Sequence, residues 1–318
     1  MASHRQRRQV ANVVDSEPSL QRTFRGHKKR INALSFNPDM TQIASASDDC
    51  CVMLWHFRPQ LRAYRFVGHK APVLDVAFNP TGTQIASGSK DCTVRLWVPD
   101  VKGKSKVLKG HTGAVRSVNF SSDGTHLLTA SNDKTAKIWD GIGTGKHHFK
   151  GALIGHHNWV NSAHFSPDNR LAGTGSDDKT VRLWDTETTA CLQTFYDHSA
   201  PVDVVRFHPD GTCVAAGGRD HKINIWDSRS QTLLQHYPLH TDAVTGIEFH
   251  PSGNYLLSSS ADSTLKIWDI REGHLLYVYC IIAPARRDRR RVFRTTGVMQ
   301  SCVVSCVLIS SSPSCVFL

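Results

Sequence analysis

The chain has no stretch that reads as a membrane-spanning helix. Its most apolar segment, Val303–Leu318, is broken by serines and by Pro313. It falls short of the roughly 20 residues that a spanning helix needs. The basic start MASHRQRRQV is followed by no apolar core, so it does not read as a signal peptide. The nine cysteines (Cys50, Cys51, Cys92, Cys191, Cys213, Cys280, Cys302, Cys306 and Cys315) include no CxxC pair and recur at no fixed interval. Neither a zinc knuckle nor a disulfide framework is indicated, which points to a reducing compartment, cytosol or nucleus. GIGTGK, Gly141 to Lys146, lacks the spacing and the Ser/Thr of a phosphate loop and reads as a connection. No Ser–His–Asp or Cys–His arrangement stands apart from the repeats described below. Metal, cofactor and small-molecule substrate are all expected to be absent, and catalysis with them.

Basic charge is also scarce where a nucleic-acid groove would need it. The formal charge of +11 is concentrated at the two ends. Arg5, Arg7 and Arg8 lie at one end. Arg286, Arg287, Arg289, Arg290, Arg291 and Arg294 lie near the other, offset only by Asp288. About +3 remains for the central region, which disfavours nucleic acid as a partner of that region. The basic ends read as solvated tails.

What is present is a repeat. Asp49, Asp91, Asp133, Asp178, Asp220 and Asp262 follow one another at steps of 42, 42, 45, 42 and 42 residues. Each precedes a tryptophan by six residues: Trp55, Trp97, Trp139, Trp184, Trp226 and Trp268. Each follows a histidine by 22 residues: His27, His69, His111, His156, His198 and His240. This period and grammar predict an all-β fold, a β-propeller with six recognisable blades. Within one unit VLDVAF (73–78) reads as a strand and NPTG as a turn. TQIASGS and TVRLW read as further strands, and an outer strand follows near Lys106 to Leu108. Nine residues after each histidine stands Phe36, Phe78, Phe120, Phe165, Phe207 or Phe249, expected to pack between blades.

The polar markers need partners, because a buried aspartate costs several kcal/mol unless its oxygens are used. The aspartate can accept from the histidine and nearby amides. The histidine can reach a hydroxyl ten residues before each tryptophan, and that hydroxyl can accept from the indole N–H. The candidates are Ser45, Ser87, Thr129, Thr174 and Ser258. The fifth unit has Ala216 there, so its network is expected to be incomplete. The 42-residue spacing puts the histidines in separate blades, which argues for structure rather than for a metal cluster or a catalytic base. Trp159 falls outside this grammar. It precedes an inner strand where the other units carry Arg30, Pro72, Ala114, Pro201 and Ala243. Trp159, Arg30, Arg116, Asn161 and Asp203 are candidate protein-binding residues on one face of the ring.

The recurring GH…V…F…D…W(D) pattern resembles the WD-repeat superfamily over residues 20–279. Asp140, Asp185, Asp227 and Asp269 follow their tryptophans, and His56 and Val98 replace that residue elsewhere. FRPQLRAYRFVGHK, WVPDVKGKSKVLKGHT, HHNWVNSAHFSPD, LLQHYPLHTDAV and FHPSGNYLLSSSADSTLKIWDIREGHLLY are similar to the proteome of centriole family of WD-repeat proteins. That resemblance covers roughly residues 10–279. It implies a scaffold of centrioles and basal bodies, acting in centriole integrity, cilium formation and spindle-pole organisation. It also implies centriolar or basal-body protein partners, microtubule-associated ones among them. The alternatives left open are a WD-repeat adaptor of another complex (a ubiquitin-ligase substrate receptor or an RNA-processing subunit) and an inactive truncated isoform.

The family has seven blades and a C-terminal coiled coil. Here a seventh GH…D…W unit and heptads are missing, and an alternative C-terminus, from splicing or from read-through of non-coding sequence, is the expectation. Without the coiled coil a monomer is expected. Residues 1–19 are expected to be a flexible basic start, 20–279 the propeller, and 280–318 a poorly packed tail. Outer-strand segments number seven against six sets of inner strands. The propeller is therefore expected either to close as six blades with one strand left over or to form a seven-blade arc with a gap.

Overall fold

A computed structural model describes residues 22–58, 61–100, 104–142, 147–280 and 314–317. Among them every regular element is a strand. Blade one consists of β2 (Ile31–Phe36), β3 (Gln42–Ser47), β4 (Cys51–His56) and β5 (Tyr64–Val67). Blade two consists of β6 (Val73–Phe78), β7 (Ile85–Ser89), β8 (Thr93–Trp97) and β9 (Ser105–Lys109). The pattern repeats from β10 (Val115–Phe120), β14 (Val160–Phe165), β18 (Val202–Phe207) and β22 (Val244–Phe249). Each of the six sheets has four antiparallel strands in sequence order.

The sheets stack because their faces differ in size. The inner strand of a blade turns Val and Phe toward the blade before it, as Val115, Val118 and Phe120 do. The second strand of the preceding blade answers with small residues, here Ala86 and Gly88. A Cβ on Gly88 would lie 2.8 Å from the Cγ1 of Val115, so the close approach of these sheets requires glycine. Sheets packed face to face in this way bury the largest side chains, including Trp97, Trp184, Trp226 and Trp268.

Every inner strand carries a register shift after its first residue. The shifts fall between Ile31 and Ala33, Val73 and Asp75, Val115 and Ser117, Val160 and Ser162, Val202 and Val204, and Val244 and Gly246. One unpaired residue is left at each: Asn32, Leu74, Arg116, Asn161, Asp203 and Thr245. A bulge re-aims the side chain it carries.

The inner strands pack in the order β2, β6, β10, β14, β18 and β22, and β22 makes no comparable contact with β2. The burial pattern agrees. Leu34 and Phe36 of blade one stay half-buried, whereas Val76, Phe78, Val118 and Phe120 are buried. Leu257 and Ser259 of blade six are likewise half-buried, whereas Ala44 and Ala46 are fully covered. Among the described residues, the six blades therefore form an arc whose two ends do not pack on each other.

One strand stands at one of those ends. Phe24 of β1 (Arg22–Arg25) is buried, with its ring 5.4 Å from that of Trp55. Phe66 meets Trp97 in the same way, as Phe195 meets Trp226 and Tyr237 meets Trp268. Thus β1 sits against Trp55 as the outer strand of a preceding blade does, and among the described residues it pairs only with β26. It pairs antiparallel with β26 (Ser314–Phe317), Arg22 opposite Phe317 and Arg25 opposite Ser314. The part of the C-terminal segment that is described is thus a strand. Residues 1–21, 281–313 and 318, which include most of the expected terminal regions, lie outside the described residues.

Candidate functional site

Two arrangements of polar side chains are candidates: one inside every blade and one around the axis. In blade one His27 Nδ1 lies 2.9 Å from Asp49 Oδ2, and His27 Nε2 lies 2.7 Å from Ser45 Oγ. Trp55 Nε1–H donates to the same Oγ at 2.8 Å. The aspartate gives Oδ2 also to the backbone N–H of Lys28 and Oδ1 to that of Cys51. The carboxylate requires a proton on Nδ1. Nε2 then accepts from the hydroxyl, and the hydroxyl accepts from the indole. The same sets are His69–Asp91–Ser87–Trp97 and His111–Asp133–Thr129–Trp139. Blades four and six have His156–Asp178–Thr174–Trp184 and His240–Asp262–Ser258–Trp268. After each aspartate one residue adopts a left-handed conformation, with φ from 64° to 70° at Cys50, Cys92, Lys134, Lys179, His221 and Ser263. The carboxylate bridges that turn.

The glycine before four of the histidines has a packing reason. A Cβ on Gly110 would lie 2.8 Å from the Cη2 of Trp139. Blade five departs from the pattern. His198 and Asp220 are 2.9 Å apart, but with Ala216 in the hydroxyl position His198 Nε2 is buried without a partner. Asp197 replaces the glycine, and its carboxylate accepts the Trp226 indole N–H at 2.7 Å. Asp197 was not legible as a participant from the histidine–aspartate spacing. The signal for it was the loss of the glycine from the GH pair in the one blade that also lacks the hydroxyl.

Charges inside these networks are fixed by their surroundings. Burial raises the Asp91 carboxyl. The Thr93 hydroxyl, the Lys70 N–H and the His69 ring outweigh that and hold it at about 2. Burial is outweighed in the same way at Asp49, Asp133, Asp178, Asp220 and Asp262, all held below the usual carboxylate range. Burial pushes the imidazoles of His69, His156 and His240 below their ordinary value, and the neighbouring aspartates only partly oppose it. These sites are locked and inward-facing. Among the described residues no group of three His, Cys, Asp or Glu side chains gathers as a metal site.

The second arrangement is open to solvent. The six bulge residues Asn32, Leu74, Arg116, Asn161, Asp203 and Thr245, one from each blade, surround a cavity of about 270 Å³ at one mouth of the central channel. Four of them are tethered by a residue 16 positions later in the same blade. Asn32 Nδ2 donates to Asp48 at 2.8 Å, and Asn161 Nδ2 donates to Asp177 at 2.6 Å. Arg116 Nε donates to Asn132 at 2.5 Å, and Arg219 Nε donates to Asp203 at 3.1 Å. The Arg116 guanidinium also sits 5.1 Å from the ring centre of Trp159, whose side chain is 43% exposed.

The structure thus brings Trp159, Arg116, Asn161 and Asp203 to one mouth. Arg30 is exposed on blade one and does not line the cavity. Asn32, Leu74, Thr245 and the tether Arg219 are further members that the sequence reading missed. Asn32, Leu74 and Thr245 stand in one column, five residues after their marker histidines, but a bulge has to be seen before that column points at the axis. Deeper in the channel, Asp75 accepts the N–H groups of Val76 and Val118 at 2.8 Å each, and burial raises its carboxyl.

Comparison with known proteins follows the repeats. The WD domain, G-beta repeat profile matches residues 18–56, 61–98, 103–140, 148–185, 189–227 and 231–269, more than half of the chain. POC1 centriolar protein homolog B of Xenopus laevis is 51% identical over 57 residues, which is 18% of this chain and 12% of that protein. POC1 centriolar protein homolog A of Xenopus tropicalis is 52% identical over 50 residues, 16% of this chain and 11% of that protein. The homolog A of Danio rerio is 49% identical over 56 residues, 18% and 13% of the two chains. The matched stretches therefore span about an eighth of the length of these relatives.

Proposed function

This chain belongs to the WD domain, G-beta repeat family, and from that premise we propose that it is a non-catalytic scaffold that docks centriolar proteins. The similarity to proteins named as centriolar supports the location. The single observation that carries the docking role is the channel mouth. There a half-exposed tryptophan, an arginine stacked on it and three further tethered polar side chains, Asn32, Asn161 and Asp203, meet at one open cavity. Exposed aromatic and arginine anchors held rigidly are what protein interfaces favour. The buried His–Asp–hydroxyl–Trp sets hold the blades and present no reacting group to solvent.

On this reading the protein acts at centrioles, basal bodies and spindle poles. It supports centriole assembly and stability and cilium formation, and it works as a monomer. Its partners are centriolar or basal-body proteins, and it uses no cofactor and no nucleic acid.

The test is to express the tagged 318-residue chain at low level in dividing and ciliating cells, with a Trp159→Ala variant alongside. Discrete centriolar spots, and loss of captured centriolar proteins on Trp159→Ala without loss of soluble protein, are expected. Diffuse signal from intact, soluble wild-type protein would overturn the centriolar assignment for this chain. Unchanged capture by Trp159→Ala would overturn docking at this mouth.

A further inference from the structure

Asn161 is 8% exposed, and both of its amide protons are committed. Nδ2 donates to Asp177 Oδ1 at 2.6 Å and to the Val202 carbonyl at 2.9 Å, with Asp203 Oδ1 at 3.4 Å. Turning the amide over would set its oxygen against a carboxylate and a carbonyl, so the orientation is determined. Its Oδ1 is buried and has no hydrogen-bond partner. A buried acceptor left in this state is uncommon and calls for a ligand or a solvent partner.

Asn32 repeats the arrangement three blades away. Its Nδ2 donates to Asp48 at 2.8 Å and to the Val73 carbonyl at 2.8 Å, which leaves its Oδ1 for the cavity. The Asp203 carboxylate lies beside Asn161 and is held from one side by Arg219, at 3.1 and 3.3 Å. Three of the six lining side chains thus offer acceptors. The one cation in the lining, Arg116, is drawn back by Asn132 and stacked on Trp159. Two carboxylates, Asp177 and Asp203, surround Asn161 against one guanidinium, Arg219.

We propose that the channel mouth takes the ammonium or guanidinium of a lysine or arginine side chain from a partner peptide, with Asn161 Oδ1 and the Asp203 carboxylate as its acceptors. The proposal rests on the reading of this mouth as a protein-docking site and names the chemistry it selects. Leu74 supplies an apolar wall for the aliphatic stem, and 270 Å³ accommodates one such side chain. Selection for a donor follows from the amides. A carboxylate placed here would meet Asn161 Oδ1 and Asp203 as like partners, which specificity against acidic groups requires.

The test uses the full 318-residue chain and four blocked amino-acid amides: acetyl-arginine, acetyl-lysine, acetyl-glutamine and acetyl-glutamate amide. Side-chain amide and indole resonances are followed by NMR, with those of Asn161 and Trp159 assigned by substitution. The arginine and lysine probes are expected to shift both resonances saturably. Asp203→Asn keeps the side-chain shape and is expected to weaken them by about fivefold. The Asn161 side-chain resonance in Asp203→Asn also reports whether the mouth is intact.

An equal response to the glutamate or glutamine probe, or no response to either cation, would overturn the proposal. If the cations fail to bind while Trp159→Ala still abolishes capture, the chemistry is wrong and docking stands. If the cations bind while Trp159→Ala leaves capture unchanged, the cation site stands and docking is wrong.

Discussion

Blade five offers a test of the buried networks that nature has half performed. Its His198 Nε2 is buried with no donor, and its Trp226 N–H is served by Asp197 rather than by a hydroxyl. Consider Ala216→Ser, Asp197→Gly and the double variant. In Ala216→Ser the new hydroxyl stands where Ser87 stands in blade two, 2.8 Å from both His69 Nε2 and Trp97 Nε1. It should donate to His198 Nε2 and stabilise the fold by about 1 kcal/mol, the net worth of one buried hydrogen bond. Asp197→Gly removes the acceptor of the Trp226 N–H and should destabilise by about 1 to 2 kcal/mol. In the double variant the serine accepts that N–H, so the loss should largely vanish and the coupling should reach about 1 kcal/mol or more. Equilibrium unfolding in urea, followed by tryptophan fluorescence, reads all four corners of the cycle. Additive effects would refute the donation order from indole to hydroxyl to imidazole to carboxylate. So would destabilisation by Ala216→Ser alone.

Acid should weaken the fold in two stages of the same sign. The imidazoles of His69, His156 and His240 have folded values below 6.5, so the unfolded chain takes up protons first. Their contribution is full above 6.5 and is lost as pH falls below it. The aspartates lose theirs as pH falls from 3.8 through their folded values, about 2 for Asp91. Asp75, raised by burial, opposes this. Thermal unfolding across a pH series should show the midpoint falling from pH 7 to 5 and more steeply below 3.8. A midpoint that rises on acidification to pH 5 would contradict these shifts. Gly110→Ala drives a methyl to 2.8 Å from the Trp139 ring and should cost about 1 to 3 kcal/mol, visible as a lowered urea midpoint and altered near-ultraviolet circular dichroism. Phe24→Ala should cost about 3 kcal/mol and increase dye binding by apolar surface, because Phe24 covers Trp55 at one end of the arc. Unchanged dye binding would mean that β1 does not seal blade one.

Most of the blade was legible because its rules are local. The turn aspartates, the glycine before the histidine and the alternation of apolar residues act over a few neighbours, and β6 coincides with the segment read as VLDVAF. The hydroxyl ten residues before each tryptophan was also legible, since two paired strands bring those positions together at a fixed offset. Asp197 was not legible, because its role depends on what Ala216 leaves unsatisfied. The channel mouth was read only in part. Arg116, Asn161 and Asp203 were chosen for chemistry and Asn32 was passed over, although the same bulge turns all four to the axis.

The sequence by itself determined the six repeats and the family, since each copy carries the same residues at the same spacing. It left the closure of the arc open. That depended on whether the back of blade six meets the front of blade one, a contact between residues more than 200 positions apart with no local signature. Tertiary structure decided it, leaving Leu34 and Leu257 half-covered and placing β1 beside Trp55. It also decided which side chains share the mouth. A bulge in one strand means nothing until six inner strands are gathered around one axis.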